Sequence, residues 1–474
     1  MTSTQKFSIP VLTAMVVGSM IGAGIFSLPQ TFGRATGVVG ALIAWAIAGV
    51  GMLMLALVFQ NLAQRKPDLD AGVYAYAKAG FGNYWGFLSA LGYWAGTCIG
   101  NVSYFVLIKS TLGLFFPVFG DGNTPLAIVV SSVILWIIHF LILRGVKQAA
   151  LLNTIATIAK VIPIFIFIII LAFHFNSEIF KTNLWGGGAY SLGGLFEQVR
   201  GTMLVTVFVF LGIEGASVYS RYAKKRSDVG VATVVGFLGV LCVLILVTML
   251  SYAVMLRPDL SSLRNPSMAG VLESVVGHWG AIFVSAGLVI SVLGAYLSWS
   301  LLAAEVLFSA AESQTMPSFL ARQNQNEVPS AALWLTNIMV QIFLVLTMFA
   351  RSAFTLALEL TSSMNLIPYL LVAAYALKLT WNGETYEADS ATRRRDLIFS
   401  AIAVIYAAWL VIAGGPKFLL LSAVIYGPGT VLFLLARREQ RAIVFTAAER
   451  IVFAAAAVAA IVAIVRLASG SIAI

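Results

Sequence analysis

The chain has 474 residues, of which 60% are hydrophobic and only 10% charged, and its mean hydropathy is +0.96. This lies far outside the range of soluble domains and defines an integral membrane protein. The net charge of +10, from 29 basic against 19 acidic residues, needs no nucleic-acid partner, because most basic residues fall in solvated loops that face anionic lipid.

The apolar runs are about twenty residues long, so they read as transmembrane helices; barrel strands would be about ten residues with strict alternation. The first runs to about Pro29, with Lys6 before it and no small-residue cleavage site, so it is expected to be retained. The next four are 38–57, 84–114, 126–143 and 153–173. After a polar loop with Gly186, Gly187 and Gly188 come 198–219, 229–255, 282–310, 331–349 and 354–377. Runs at 397–412, 418–435 and 451–466 bring the candidates to thirteen, the last short and rich in alanine, so the fold class is an all-α membrane protein of 12–13 transmembrane helices. No extramembrane stretch is long enough for a second domain, and residues 1–474 read as one polytopic domain.

With a cytoplasmic N-terminus, nineteen basic residues fall inside, among them Arg65, Lys66, Lys147, Lys224, Lys225 and Arg393 to Arg395; nine fall outside and Lys160 lies within a helix, accounting for all 29. That bias predicts the N-terminus inside. Cys98 and Cys242 lie in apolar runs and read as small core residues.

Gly18 to Pro29, GSMIGAGIFSLP, interrupts the first apolar run with Gly18, Gly22 and Gly24. Glycine weakens a helix and helps release backbone groups at membrane depth, where they survive only beside a cavity or inside protein. The alternative is that small residues let two helices approach closely. A second interrupted stretch, FVFLGIEGAS from Phe208 to Ser217, carries Gly212 and Gly215 around Glu214, five helices later. Paired broken helices at the heads of two five-helix halves point to inverted repeats, 11–173 and 198–377, with 397–466 as additional helices and a substrate site at the midplane.

Four polar residues within the apolar runs ask for a role. Glu214 either binds a proton or cationic substrate or ties helices together. Lys160, before Pro163, reads as a structural cation bonding carbonyls freed by the broken helices. Glu305 is a second acidic contact or lies near a vestibule, and Asn101, beside Gly96, Thr97 and Gly100, bonds a substrate head or another helix. Tyr93, Phe208 and Trp299 share helices with these positions and read as core residues or as an aromatic wall, a Trp face attracting a cation by about 2 kcal/mol when desolvated. His139, His174 and His278 are scattered at helix ends and loops, and neither a metal site nor a catalytic cluster is discernible.

Together GSMIGAGIF, GVYAYAKAGFG before the third helix, YWAGTCIGN within it, FVFLGIEGAS and SWSLLAAE in the eighth resemble the amino acid–polyamine–organocation superfamily, closest to its basic amino acid/polyamine antiporters. The likeness covers roughly the first twelve helices. It implies two inverted five-helix repeats, broken helices 1 and 6, and amino acid exchange by alternating access, with no cofactor and no enzymatic activity. It implies that Gly22, Ala23 and Gly24 offer N–H groups to the substrate carboxylate, and that Met20, Phe208 and Leu211 turn carbonyls toward its α-amino group. Trp299 would stack on the side chain, Gly96, Thr97 and Asn101 would meet its distal end, and Tyr93 with Glu214 would form a gate.

The chain also departs from the arginine/agmatine antiporters of that family: Phe208 stands where they have Trp, Ala23 where they have Ser, Lys160 is additional, and Asp70-Ala71-Gly72 replaces Pro-Gly-Gly. With the thirteenth helix and Glu305, the expectation turns to arginine/ornithine exchange in a bacterial inner membrane; other amino acid/amine pairs, such as lysine/cadaverine and histidine/histamine, or proton-coupled uptake are the alternatives. The expected partners are amino acid substrates and the lipid bilayer, and the resemblance admits a homodimer.

Overall fold

In hydrocarbon a backbone can satisfy its own polar groups only as a helix or a closed barrel, and each long apolar run of this chain is helical. The computed structural model describes residues 8–69, 72–145, 149–186, 191–214, 226–386 and 390–472. Lys6, Asp70, Ala71, Lys147, Gly187, Gly188 and the segment from Gly215 to Lys225 lie outside the described residues. The helices are α1 (Ile9–Met20), α2 (Leu28–Ala35), α3 (Val38–Arg65), α4 (Val73–Phe81), α5 (Asn83–Gly113), α6 (Pro125–Leu143), α7 (Ala149–Phe173), α8 (Ser177–Thr182) and α9 (Leu192–Phe210). They continue as α10 (Arg226–Val254), α11 (Arg257–Ser262), α12 (Ser267–Val276), α13 (His278–Glu312), α14 (Ser330–Leu346), α15 (Ala353–Asn382), α16 (Ser390–Glu439) and α17 (Ala447–Ala468).

Among the described residues, ten helices are long and apolar enough to cross a membrane, and α1 with its continuation to Ala35, bent by 46°, brings the number to eleven when counted as one broken span. The 25-residue α7 supplies the fifth expected run, and the 50-residue α16 contains two, meeting at Gly415 with φ 74° and ψ 171°. Counted so, all thirteen expected runs find a helix. The differences lie at the edges. The second run continues to Arg65, because polar residues that leave the hydrocarbon still favour a helix, and the GVYAYAKAGFG motif forms its own helix, α4, between Gly72 and Gly82 at φ 82° and 106°. The short α8, α11 and α12 are too brief or too polar to produce an apolar run.

Among the described residues, those within Met1–Leu53, Ser103–Ser131 and Lys147–Ser298 form one compact unit, and those within Met54–Val102, Ser132–Val146 and Trp299–Ile474 form another. Each unit draws on both halves of the sequence. In the first, α1 packs on α10 through Leu12, Val229 and Ala232, and a side chain at Gly236 would meet Val16 at 2.9 Å. Arg257 closes the end of α2: its Nε donates to Gly33 O at 2.8 Å and its Nη2 to Arg34 O at 3.1 Å, taking carbonyls that a helix terminus leaves unbonded. Cys242, expected in the core, is exposed on α10, where lipid can cover it; Cys98 is buried.

In the second unit the thirteenth helix is tied in by chemistry its short run does not suggest. Glu449 of α17 accepts the N–H of Tyr84 at 2.9 Å, capping α5, and also completes its own capping box with Thr446. Tyr84 and Phe87 pack with Phe433 and Phe445 around this junction. At the end of α3, Arg65 lies 3.5 Å over the Tyr386 ring, and Tyr386 donates to Asp396 at 2.9 Å. Next to it, the bond to Glu384 raises the Lys66 ammonium above its ordinary pKa.

Candidate functional site

Helix α1 stops at Met20 because Ile21 turns extended, with φ −72° and ψ 96°, and Gly22 follows at φ −113° and ψ −159° before a 3-10 turn over Ala23–Ser27 leads into α2. A helix end leaves its last carbonyls, and a helix start its first N–H groups, without internal partners. The Lys160 ammonium, on α7 and 5% exposed, donates to one such carbonyl, Gly18 O, at 2.6 Å. Ala23, Gly24 and Met20 are buried around the break.

The second interruption is its neighbour. Helix α9 ends at Phe210, and residues 211–214 form turns with Gly212 at φ 101°. Ser19 Oγ donates to Gly212 O at 3.1 Å, and a Cβ at Gly212 would fall 2.5 Å from Ser19 O, so only glycine fits there. Glu214 turns back on the break, accepting the Gly212 N–H at 3.1 Å, and is 6% exposed. Phe208 and Leu211 are buried, and the Phe208 carbonyl accepts the Leu211 N–H at 3.3 Å.

The two glycines of the first break differ in what surrounds them. A Cβ at Gly24 would lie 2.8 Å from both Phe208 and Val209, so this glycine serves close packing of the two broken segments. At Gly22, leaving aside its chain neighbours, the only described atom within 4 Å of such a carbon is the Tyr104 hydroxyl, at 3.7 Å. Among the described residues, close packing at Gly24 and free space over Gly22 occur two residues apart.

In the second unit, α5 places Tyr93, Gly96, Thr97 and Asn101 along one helix. The Thr97 hydroxyl donates to Tyr93 O at 2.9 Å, one turn back. Asn101 is fully buried; its Nδ2 donates to Ser300 Oγ at 3.3 Å, while its Oδ1 has no partner among the described residues. Gly96 and Gly100 face α15: a Cβ at Gly96 would meet Asn365 Nδ2 at 2.6 Å, and one at Gly100 would meet Thr361 at 3.4 Å. Thr361 Oγ1 and Asn365 Oδ1 are likewise buried without a partner among the described residues. Trp299 on α13 is half-buried and Glu305, six residues on, is exposed.

Tyr104, Ser300, Thr361 and Asn365 were not singled out from the sequence. Tyr104 had a legible signal, standing three residues after Asn101 and so near its face of α5. Thr361 and Asn365 had none, because their meaning comes from the glycines of another helix. His139, expected at a helix end, is instead fully buried in α6, with Asn337 at 2.9 Å from its Nδ1 and the Trp136 and Trp334 rings against it.

Residues 7–439 match the model of the amino acid permease family. The chain is 57% identical to an arginine/ornithine antiporter of Pseudomonas aeruginosa over 467 residues, 97% of each chain. It is 41% identical to an L-lysine transport protein of Corynebacterium glutamicum, covering 99% of this chain and 97% of that one. It is 39% identical to an arginine/agmatine antiporter of Chlamydia pneumoniae, covering 95% and 94% respectively. This chain, a multi-pass helical membrane protein, belongs to the amino acid permease family.

Proposed function

We propose that this chain is an antiporter that brings arginine into a bacterial cell and releases ornithine by alternating access. The observation that carries the mechanism is the pair of adjoining helix breaks, which frees backbone groups where, among the described residues, space is open at Gly22. The substrate pair is supported by the 57% identity to the arginine/ornithine antiporter. The N–H groups of Gly22, Ala23 and Gly24 hold the carboxylate, carbonyls of Met20, Phe208 and Leu211 hold the α-amino group, and Trp299 stacks on the cationic side chain. Gly96, Thr97 and Asn101 meet the distal end; the buried acceptors of Asn101, Thr361 and Asn365, without a partner among the described residues, suit the N–H groups of a guanidinium or ammonium. Tyr93 and Glu214 form a gate, with Glu305 a second acidic contact, and Lys160 is a structural cation standing by the broken α1.

This reading includes inverted repeats over 11–173 and 198–377, additional helices over 397–466, a cytoplasmic N-terminus in the inner membrane, and room for a homodimer. Exchange of one monocation for another is electroneutral. The test is uptake of labelled arginine into proteoliposomes loaded with ornithine, lysine, agmatine or nothing. Ornithine inside should accelerate uptake most; equal uptake into empty and ornithine-loaded vesicles would sink exchange. The similarity to an L-lysine transport protein favours one second reading, exchange of lysine, which predicts the greatest stimulation by internal lysine.

A further inference from the structure

Tyr104 lies on α5, 6% exposed, and its hydroxyl makes no hydrogen bond to any described residue. The hydroxyl borders the free space over Gly22, 3.7 Å from where a first side-chain carbon would stand. That space opens on the segment whose N–H groups begin the second half of the broken helix. Next to it stands Ala23, whose methyl group contributes no donor.

We infer that the Tyr104 hydroxyl is a specificity-determining donor, giving a hydrogen bond to the substrate α-carboxylate over Gly22 and supplying from α5 the side-chain donor that Ala23 lacks. The inference rests on the carboxylate cradle proposed above. The phenol is suited to the task because it carries a donor on a rigid ring, with few rotors to order when substrate binds. Its preference is for ligands that keep their carboxylate, which bears directly on discrimination between amino acids and their decarboxylated amines.

The test compares full-length wild type, Tyr104→Phe, Ala23→Ser and the double variant in proteoliposomes, with labelled arginine outside and ornithine inside. Removing one donor to a charged acceptor should raise the apparent KM for arginine about tenfold in Tyr104→Phe. A serine hydroxyl restored at 23 should recover most of that loss in the double variant, and Ala23→Ser alone, which adds a second donor to the same carboxylate, should lower the apparent KM. Loss without rescue, or an unchanged KM in Tyr104→Phe, overturns the inference. A melting temperature measured on each purified variant separates misfolding from lost affinity. Should wild type exchange a different amino acid, the arginine/ornithine reading fails by itself, and the same four proteins are compared on that amino acid.

Discussion

Two glycine breaks in apolar helices of this protein show how different the same residue can be. At Gly415 in α16 each arm is about twenty residues or longer, enough to cross the hydrocarbon, so the kink joins two spans. Pro416 follows, and its missing N–H and fixed φ suit the start of the second arm. Helix α1 is 12 residues long, about 18 Å at 1.5 Å per residue, and so stops inside the bilayer. Its freed groups need partners from elsewhere: Lys160 of α7 bonds the Gly18 carbonyl, and Ser19 of α1 in turn bonds the Gly212 carbonyl freed by the second break. A break therefore announces a site only when its arms are too short to reach water.

The comparison is broken most sharply at Lys160. Lys160→Met leaves the Gly18 carbonyl unsatisfied at membrane depth, at several kcal/mol; exchange should fall about a hundredfold or more and the melting temperature should drop. Near-normal exchange would remove the need for outside partners. Gly24→Val comes next, since its side chain would drive into Phe208 and Val209. Overpacking of this kind costs about 1–3 kcal/mol, and exchange should fall at least about tenfold; Gly22→Ala, entering open space, should instead preserve the melting temperature and weaken arginine affinity.

Glu214→Gln keeps an acceptor for the Gly212 N–H while removing the charge. Exchange measured at one fixed pH should slow if the carboxylate charge serves cation passage, whereas an unchanged rate assigns the side chain to holding the break together. The smallest effect belongs to Gly415→Ala. A side chain at φ 74° is strained by about 1–3 kcal/mol, so thermal unfolding should shift downward while the exchange rate stays within about twofold of wild type.

How much of this was legible beforehand follows from the kind of interaction involved. Long apolar runs announce their helices because a bilayer-spanning backbone has almost no alternative to a helix. The broken segments were legible as glycine clusters, and so was the expense of Lys160 and Glu214 in an apolar run. The same logic failed at helix edges, where hydrophobicity ends before hydrogen bonding does: α3 continues eight residues past its apolar core to Arg65. It also passed over α17's attachment through Glu449 to Tyr84, a contact between residues 365 positions apart.

By itself the sequence determined the membrane class, the placement of the helices and the stretches able to unwind, because each depends on local composition and period. Only the tertiary structure decided that, among the described residues, Gly24 is packed while Gly22 is open, that Lys160 meets Gly18, and that Tyr104 overlooks the gap. Identical glycines two residues apart carry no local difference; the distinction is made by side chains brought from α5, α7 and α9, whose approach depends on how the helices pack.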